Sequence, residues 1–146
     1  MSAVQQISVF LENKSGRLAE VTRALADAGI NLGALSIADT SDFGILRFIC
    51  SDPGRAAQVL RGAGFSVGET EVLAVEVPHR PGGLAAVVEA LKPLDVNIEY
   101  LYAFMRRTGE SALVVLRPET AREREVAEAL QAAGHRLVGP DEAYDL

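Results

Sequence analysis

Apolar Ile7, Val9 and Leu11 recur every second position, the two-residue period of a half-buried strand. The period then lengthens. Leu18, Val21, Leu25 and Ala28 recur at three and four, which predicts an amphipathic helix. Gly29 follows as a left-handed C′ residue. Strand character returns over Asn31–Asp39, and Thr40-Ser41-Asp42-Phe43-Gly44 reads as a turn. Ile45–Cys50 is short and apolar, as a central strand should be. Asp52-Pro53 opens a second helix, with Asp as N-cap and Pro at the first helical position. Its apolar face is Ala56, Val59, Leu60 and Ala63, and Phe65–Val67 begins another strand.

The same order then repeats. Displacing the sequence by 66 positions lays Asn13–Ile37 over His79–Ala103, with identities at Gly16/Gly82, Leu18/Leu84, Ala19/Ala85, Val21/Val87, Ala24/Ala90, Leu25/Leu91, Asn31/Asn97 and Leu35/Leu101. Upstream, Ile7, Val9 and Leu11 answer Leu73, Val75 and Val77, and downstream Ala63–Phe65 answers Ala133–His135. In the second copy the helix faces are Leu84, Val87, Val88, Leu91 and Leu94, then Val126, Leu130 and Ala133. Pro93 weakens the end of the first of these helices. The expected domains are therefore residues 1–70 and 71–146, with little linker near Thr70.

Each copy reads β-α-β-β-α-β. With right-handed crossovers this gives an α+β fold: a four-stranded antiparallel sheet with both helices on one face, the ferredoxin-like arrangement. One sheet face is then expected to lie open. Leu101 and Ala103 should face the helices, as Leu35 and Ile37 do, so Tyr100, Tyr102 and Phe104 point to the open face where the first copy has Ala34, Ser36 and Ala38. An aromatic stripe there needs cover, and edge strands need partners. Both favour pairing of copies within the chain and face-to-face association between chains.

Composition narrows the function. The chain has 146 residues, 49% of them hydrophobic, and a net charge of −6. That is enough for a packed core, and it is the wrong sign for a nucleic-acid partner. The first 70 residues carry a net −1 and the rest −5, with Asp141, Glu142 and Asp145 near the end. One cysteine, Cys50, excludes an intrachain disulfide and a cysteine-rich zinc site, and mid-strand it reads as a core thiol. No metal site or cofactor is expected. His79 and His135 stand at no ligand spacing, and no phosphate-loop or dinucleotide motif occurs. There is no signal-peptide pattern at the start and no run approaching the ~20 apolar residues of a membrane span. A soluble, cytoplasmic protein is expected.

The informative chemistry lies before the first helix of each copy. Glu12-Asn13-Lys14-Ser15-Gly16 and Pro78-His79-Arg80-Pro81-Gly82-Gly83 each join a strand to a helix N-terminus. Free N–H groups and the helix dipole there suit a carboxylate. Asn13 offers both a donor and an acceptor to an amino-acid head group. Capping and tight packing are the plainer alternative, and Asn31 and Asn97 taken singly are turn residues before a strand.

These segments carry a resemblance. NKSGRLAEVTRALADAGINL and HRPGGLAAVVEALKPLDVNI both resemble the ACT domain, a ligand-binding regulatory module marked by N-x-P-G-x-L opening a helix and G-[IV]-N-[IL] opening the next strand. Ser36–Ile49 resembles the corresponding stretch of stand-alone tandem ACT proteins. The resemblance covers both copies. It implies two βαββαβ units, side-by-side pairing of such units through their second strands, and small effectors, usually amino acids, at that seam. By the same resemblance, Asn13 and Asn31 take the head-group positions in the first copy, and His79 and Asn97 in the second. The histidine of the serine-sensing branch is replaced by Leu11 and Val77, and Ser15 stands where the motif prefers Pro.

The expected protein is a non-enzymatic regulator. The ligand carboxylate meets the helix start at Ser15, Gly16, Arg17 and Leu18, with Lys14 beside it. Asn13 and Asn31 orient the head group, Asp39 or Asp42 accepts from the ammonium, and Ser36 and Ala38 line the seam. Arg80, Gly82, Gly83 and Leu84 form the second loop, and Tyr100 and Tyr102 favour an apolar or aromatic effector unless they form a dry dimer interface. A homodimer and a regulated metabolic enzyme are the implied partners. The alternative is a ligand-free interaction scaffold. An acylphosphatase-like enzyme built on Arg80 and Asn97 lacks that family's phosphate loop.

Overall fold

The computed structural model describes residues 3–39, 43–106 and 109–145. The elements follow the expected order: β1 (Val4–Glu12), α1 (Arg17–Asp27), β2 (Leu32–Asp39), β3 (Phe43–Cys50), α2 (Pro53–Gly62), β4 (Ser66–Pro78), α3 (Gly83–Leu91), β5 (Ile98–Met105), β6 (Ser111–Pro118), α4 (Glu123–Ala132), the short β7 (Arg136–Leu137) and the one-turn α5 (Pro140–Ala143). Thr40, Ser41 and Asp42 of the expected turn lie outside the described residues.

Two compact units result. One comprises Gln5–Thr70 with residues 143–145, the other Glu71–Glu142 with residues 3–4. In the first, the strand order is β2-β3-β1-β4, with Gly68 of β4 beside Ser8 of β1. In the second it is β5-β6-β4, with β7 on the other side of β4. The β1–β3, β2–β3, β4–β6 and β5–β6 pairs are antiparallel. Thr70 itself lies within a strand, since β4 runs unbroken from Ser66 to Pro78.

Each unit has its own core on the helix side of its sheet. Ile7, Val9, Leu11, Leu46 and Phe48 pack with Val21, Leu25, Ala56 and Leu60. Leu73, Val75, Val77, Val114 and Leu116 pack with Val87, Leu91, Val126 and Leu130. Burying each of the larger side chains contributes about 1.5–3 kcal/mol. Helix α1 ends as its sequence predicts. Gly29 takes φ 74°, its N–H bonds to Ala26 O, and Ile30 N–H reaches back to Leu25 O at 2.9 Å. Asp52 caps α2 by accepting from Arg55 N–H at 3.2 Å. Pro93 falls in a 3₁₀ turn, Lys92–Leu94, that closes α3.

Three expectations about burial need correction. Leu18, Leu84 and Val88 belong to the apolar stripes of α1 and α3, yet they are exposed. They sit in the first two turns, and the core is filled by Val21, Leu25, Val87 and Leu91. Ala133 caps α4 and is exposed, and Ala127 is buried on that helix with Val126 and Leu130.

The helix-free face is the third. Leu113 and Val115 of β6, Ala74 of β4, and Ala34 and Ile49 of the first unit are all buried in a single chain. Tyr100, Tyr102 and Phe104 do share this face, since Tyr102 and Phe104 stand opposite Val115 and Leu113, and all three are half-buried. The exposed apolar side chains of the outer strands lie on the helix side instead. Leu35 and Ile37 stand opposite Phe48 and Leu46 of the core, and Leu101 and Met105 opposite Leu116 and Ala112. Their exposures run from 39% to 55%. As residues of the outermost strands, they extend beyond the cover of the helices.

Candidate functional site

The two loops that enter α1 and α3 are copies at the level of single hydrogen bonds. Gly16 has φ 89° and ψ −14°, and Gly82 has φ 90° and ψ −10°. This left-handed geometry is strained for any residue with a Cβ, which accounts for glycine at both positions. Lys14 N–H donates to Glu12 O at 2.8 Å, and Arg80 N–H to Pro78 O at 2.9 Å. Arg17 N–H reaches Lys14 O, Gly83 N–H reaches Arg80 O, and the first helical bonds run from Glu20 to Gly16 and from Ala86 to Gly82. Neither helix has a side-chain cap at its N-terminus. Helix N–H groups left without a side-chain acceptor are of the kind that takes up an anion.

The chemistry around the two loops differs. In the first, Lys14 pairs with Glu12 at 2.8 Å, and Arg17 pairs with Glu20 at 3.0 Å and Glu12 at 3.6 Å. The hydrogen bond and charge of Lys14, helped by Arg17, hold the Glu12 carboxyl below its ordinary range. In the second, Arg80 has no carboxylate partner among the described residues. Position 83 is glycine where the first loop has Arg17, and a Cβ there would meet Pro78 O at 2.3 Å. Gly83 is required by this close packing. His79, at the place of Asn13, bonds through its backbone N–H to Glu110 O at 3.1 Å.

Asn31 and Asn97 also occupy equivalent places. The Asn31 backbone exchanges bonds of 3.0 Å with Ser51, donating to its Oγ and accepting from its N–H. Asn97 does the same with Glu119, through Oε1 and N–H. Both asparagines are exposed. They stand at the far end of the sheet from the loops. Asn13 follows Glu12, which is opposite Phe43, whereas Asn31 precedes Leu32, which is opposite Cys50. The 11 residues of α1 separate the two, so a single unit does not bring Asn13 and Asn31 together. The end that holds Asn13, Lys14, Ser15, Gly16, Arg17 and Leu18 also holds the backbone of Asp39, opposite Gly44. Asp42 is outside the described residues. Ser36 and Ala38 lie on the helix-free face of β2, opposite Arg47 and Ile45. Tyr100 and Tyr102 take the matching face of β5, opposite Arg117 and Val115.

One feature of the second unit extends beyond the expected second loop. A cleft of about 960 Å³ opens between Pro78, Arg80–Gly83, Ser111 and Gly134–Arg136. Its floor carries a network of charges. Arg106, just past β5, and Arg136 of β7 both pair with Glu76 and Glu142. The corresponding cleft in the first unit is smaller, about 310 Å³, and is lined in part by Phe10, Phe43 and Phe65. The four charged residues come from four separate stretches of the chain with no common spacing, so no sequence motif announces them.

Among the described residues no group of His, Cys, Asp and Glu could hold a metal ion, and no helix is long and apolar enough to cross a membrane. Cys50 is buried, and burial pushes its thiol up to about 11.

The family model described as an ACT domain pair matches residues 2–133. The chain belongs to this family. Its nearly full-length structural likeness to protein BT0572 from Bacteroides thetaiotaomicron has a TM-score of 0.91 at 43% identity, covering 99% of this chain and 97% of that one. The ACT pair also shares its fold with the regulatory subunit of aspartate kinase from Thermus thermophilus, in its ligand-free form, with a TM-score of 0.65, 16% identity and coverage of 90% and 93%. The corresponding subunit from Thermus flavus gives 0.61, 17%, 92% and 94%. No match was found among curated proteins. The ACT units are thus of the α+β, ferredoxin-like class, antiparallel sheets with helices on one face.

Proposed function

We propose that this ACT pair is a non-catalytic cytoplasmic sensor of a small effector, an amino acid, which it binds where the second strand of one chain lies edge to edge with that of another. The observation that carries this reading is the opposed placement of Asn13 and Asn31 on a unit whose outermost strand, β2, exposes Leu35 and Ile37 and has no strand on its outer side among the described residues. Antiparallel pairing of β2 with β2 of a second copy places the Asn31 end of one against the Asn13–Leu18 end of the other. The composite site then has an uncapped helix N-terminus for the carboxylate, Asn13 and Asn31 for the head group, and Asp39 for the ammonium.

The second unit offers a poorer version. His79 replaces Asn13, and Met105 stands at the place of Asp39, so the acid that would take the ammonium is missing. We therefore assign the effector to the first-unit edge. The aspartate kinase relatives are regulatory subunits, which supports a role in controlling a separate metabolic enzyme. A ligand-free scaffold is the second reading. Exposed Leu35, Ile37, Leu101 and Met105 favour association between chains whether or not a ligand is bound.

Calorimetric titration of dialysed protein with each common amino acid separates the two. Saturable binding of one of them, at one or two per chain, supports the sensor. Absence of heat with all of them sinks it and leaves the scaffold.

A further inference from the structure

The geometry points to a carboxylate site in the second unit whose resident occupant is the chain's own Glu142, which a free small-molecule carboxylate can displace. The site stands apart from the proposed seam, since it uses neither Asn13 nor Asn31.

Glu142 uses both oxygens. Its Oε2 accepts from Arg106 Nη1 and, at 2.9 Å, from Arg136 Nη1, and its Oε1 accepts from Arg136 Nη2. This is the two-pronged recognition that guanidinium gives to a carboxylate. It lies in a cleft far larger than one side chain, about 960 Å³, within the range of small-molecule sites. The cleft also contains Arg80 and the N-terminal turn of α3 at Gly82 and Gly83. Its lining arginines, Arg80, Arg106 and Arg136, are balanced by Glu76, Glu110 and Glu142. Withdrawing Glu142 leaves one net positive charge facing a helix N-terminus.

The occupant is held on a short element. Helix α5 is four residues long, too short to be stable by itself. It ends on a buried Ala143 and is followed by Tyr144, whose hydroxyl accepts from Gln5 N–H at 2.7 Å. Glu142 can therefore leave the arginines by local rearrangement of one turn. Tethering gives its carboxylate an effective concentration on the order of millimolar, which a free carboxylate must overcome.

The test is a titration of the full chain with succinate at constant ionic strength, followed by NMR at the Arg106 and Arg136 guanidinium and Gly82 and Gly83 amide resonances. We expect Glu142→Gln to bind succinate at least tenfold more tightly than the natural chain, and Glu142→Gln combined with Arg136→Gln to lose that gain. Equal response of the natural chain and Glu142→Gln overturns the proposal, and so does an equal response to sulfate, which denotes an unspecific anion site. If Glu142→Gln fails to fold, the natural chain decides. Its Glu142 carboxyl resonance must move as succinate displaces it, and a fixed resonance throughout the titration refutes the displacement.

Discussion

Asn13 and Asn31 stand at opposite ends of α1, separated along it by 11 residues, or about 16 Å at the helical rise. One amino-acid head group cannot span that distance, so a site using both must draw them from two chains. Either substitution, Asn13→Ala or Asn31→Ala, should weaken binding roughly tenfold or more, as expected for a lost hydrogen bond to a charged group. Mixing the two variants should restore a fraction of the sites at full affinity, because a hybrid pair holds one intact combination. Calorimetry on the mixture checks this; no recovery after subunit exchange argues against a site shared between chains.

Ile37 is exposed on the outer strand, on the helix side. Ile37→Lys should leave unfolding free energy within about 0.5 kcal/mol of the natural chain, as for most surface changes. It should abolish association through this edge. Sedimentation equilibrium and denaturant unfolding on the same sample measure both, and an unchanged oligomeric state would place the association elsewhere.

Gly83 packs with its Cα against the Pro78 carbonyl. Gly83→Ala forces that backbone apart and should cost about 1–3 kcal/mol or more. Arg17→Gly, at the matching place of the first loop, should cost only about 1 kcal/mol, from greater chain entropy in the unfolded state and lost surface pairing. Urea denaturation of both variants gives the comparison.

Cys50 should make stability fall with alkaline pH. Its thiol ionises at about 11 in the folded chain, against 9.0 ordinarily. Below 9 both states are protonated and its contribution is complete; between 9 and 11 only the unfolded state ionises, so stability drops. Cys50→Ala should flatten that part of the profile, measured as denaturation midpoints across the range. The native thiol should also react with a disulfide reagent only as fast as the chain opens.

At the acid end the sign reverses. Arg136 and Arg106 hold Glu142 down at about 2, against 4.5 ordinarily. Its contribution is present above 4.5 and is lost as pH falls towards 2. The group is partly exposed, so the total should stay below ~1 kcal/mol. Glu142→Gln should remove that part of the acid transition.

The fold was readable because each repeat obeys local rules. The period changes from two at Ile7–Leu11 to three and four at Val21–Leu25, and Asp52 and Gly29 mark helix boundaries by chemistry that needs no tertiary help. Burial was harder to read. Leu18 and Leu84 keep the helical period but lie where the core has ended. Leu113 to Leu116 form an unbroken apolar run, the signature of a strand buried on both faces, which the expected open sheet face leaves out of account. The loops of the candidate site were legible through Gly16 and Gly82. The separation of Asn13 from Asn31 follows from the predicted helix between them, yet the resemblance places both on one head group. The meeting of Glu76, Arg106, Arg136 and Glu142 was not, because it depends on how four distant elements converge.

The outer strands β2 and β5 carry a consequence for assembly. Every chain has two similar edges, each with a row of exposed apolar side chains. Joining β2 to β2 makes a self-complementary contact that closes on itself; joining β2 to β5 makes a head-to-tail contact that propagates into rings or filaments. The difference between the edges, Ser36 and Ala38 on one and Tyr100 and Tyr102 on the other, is then a safeguard against polymerisation, favouring the pairing of like with like.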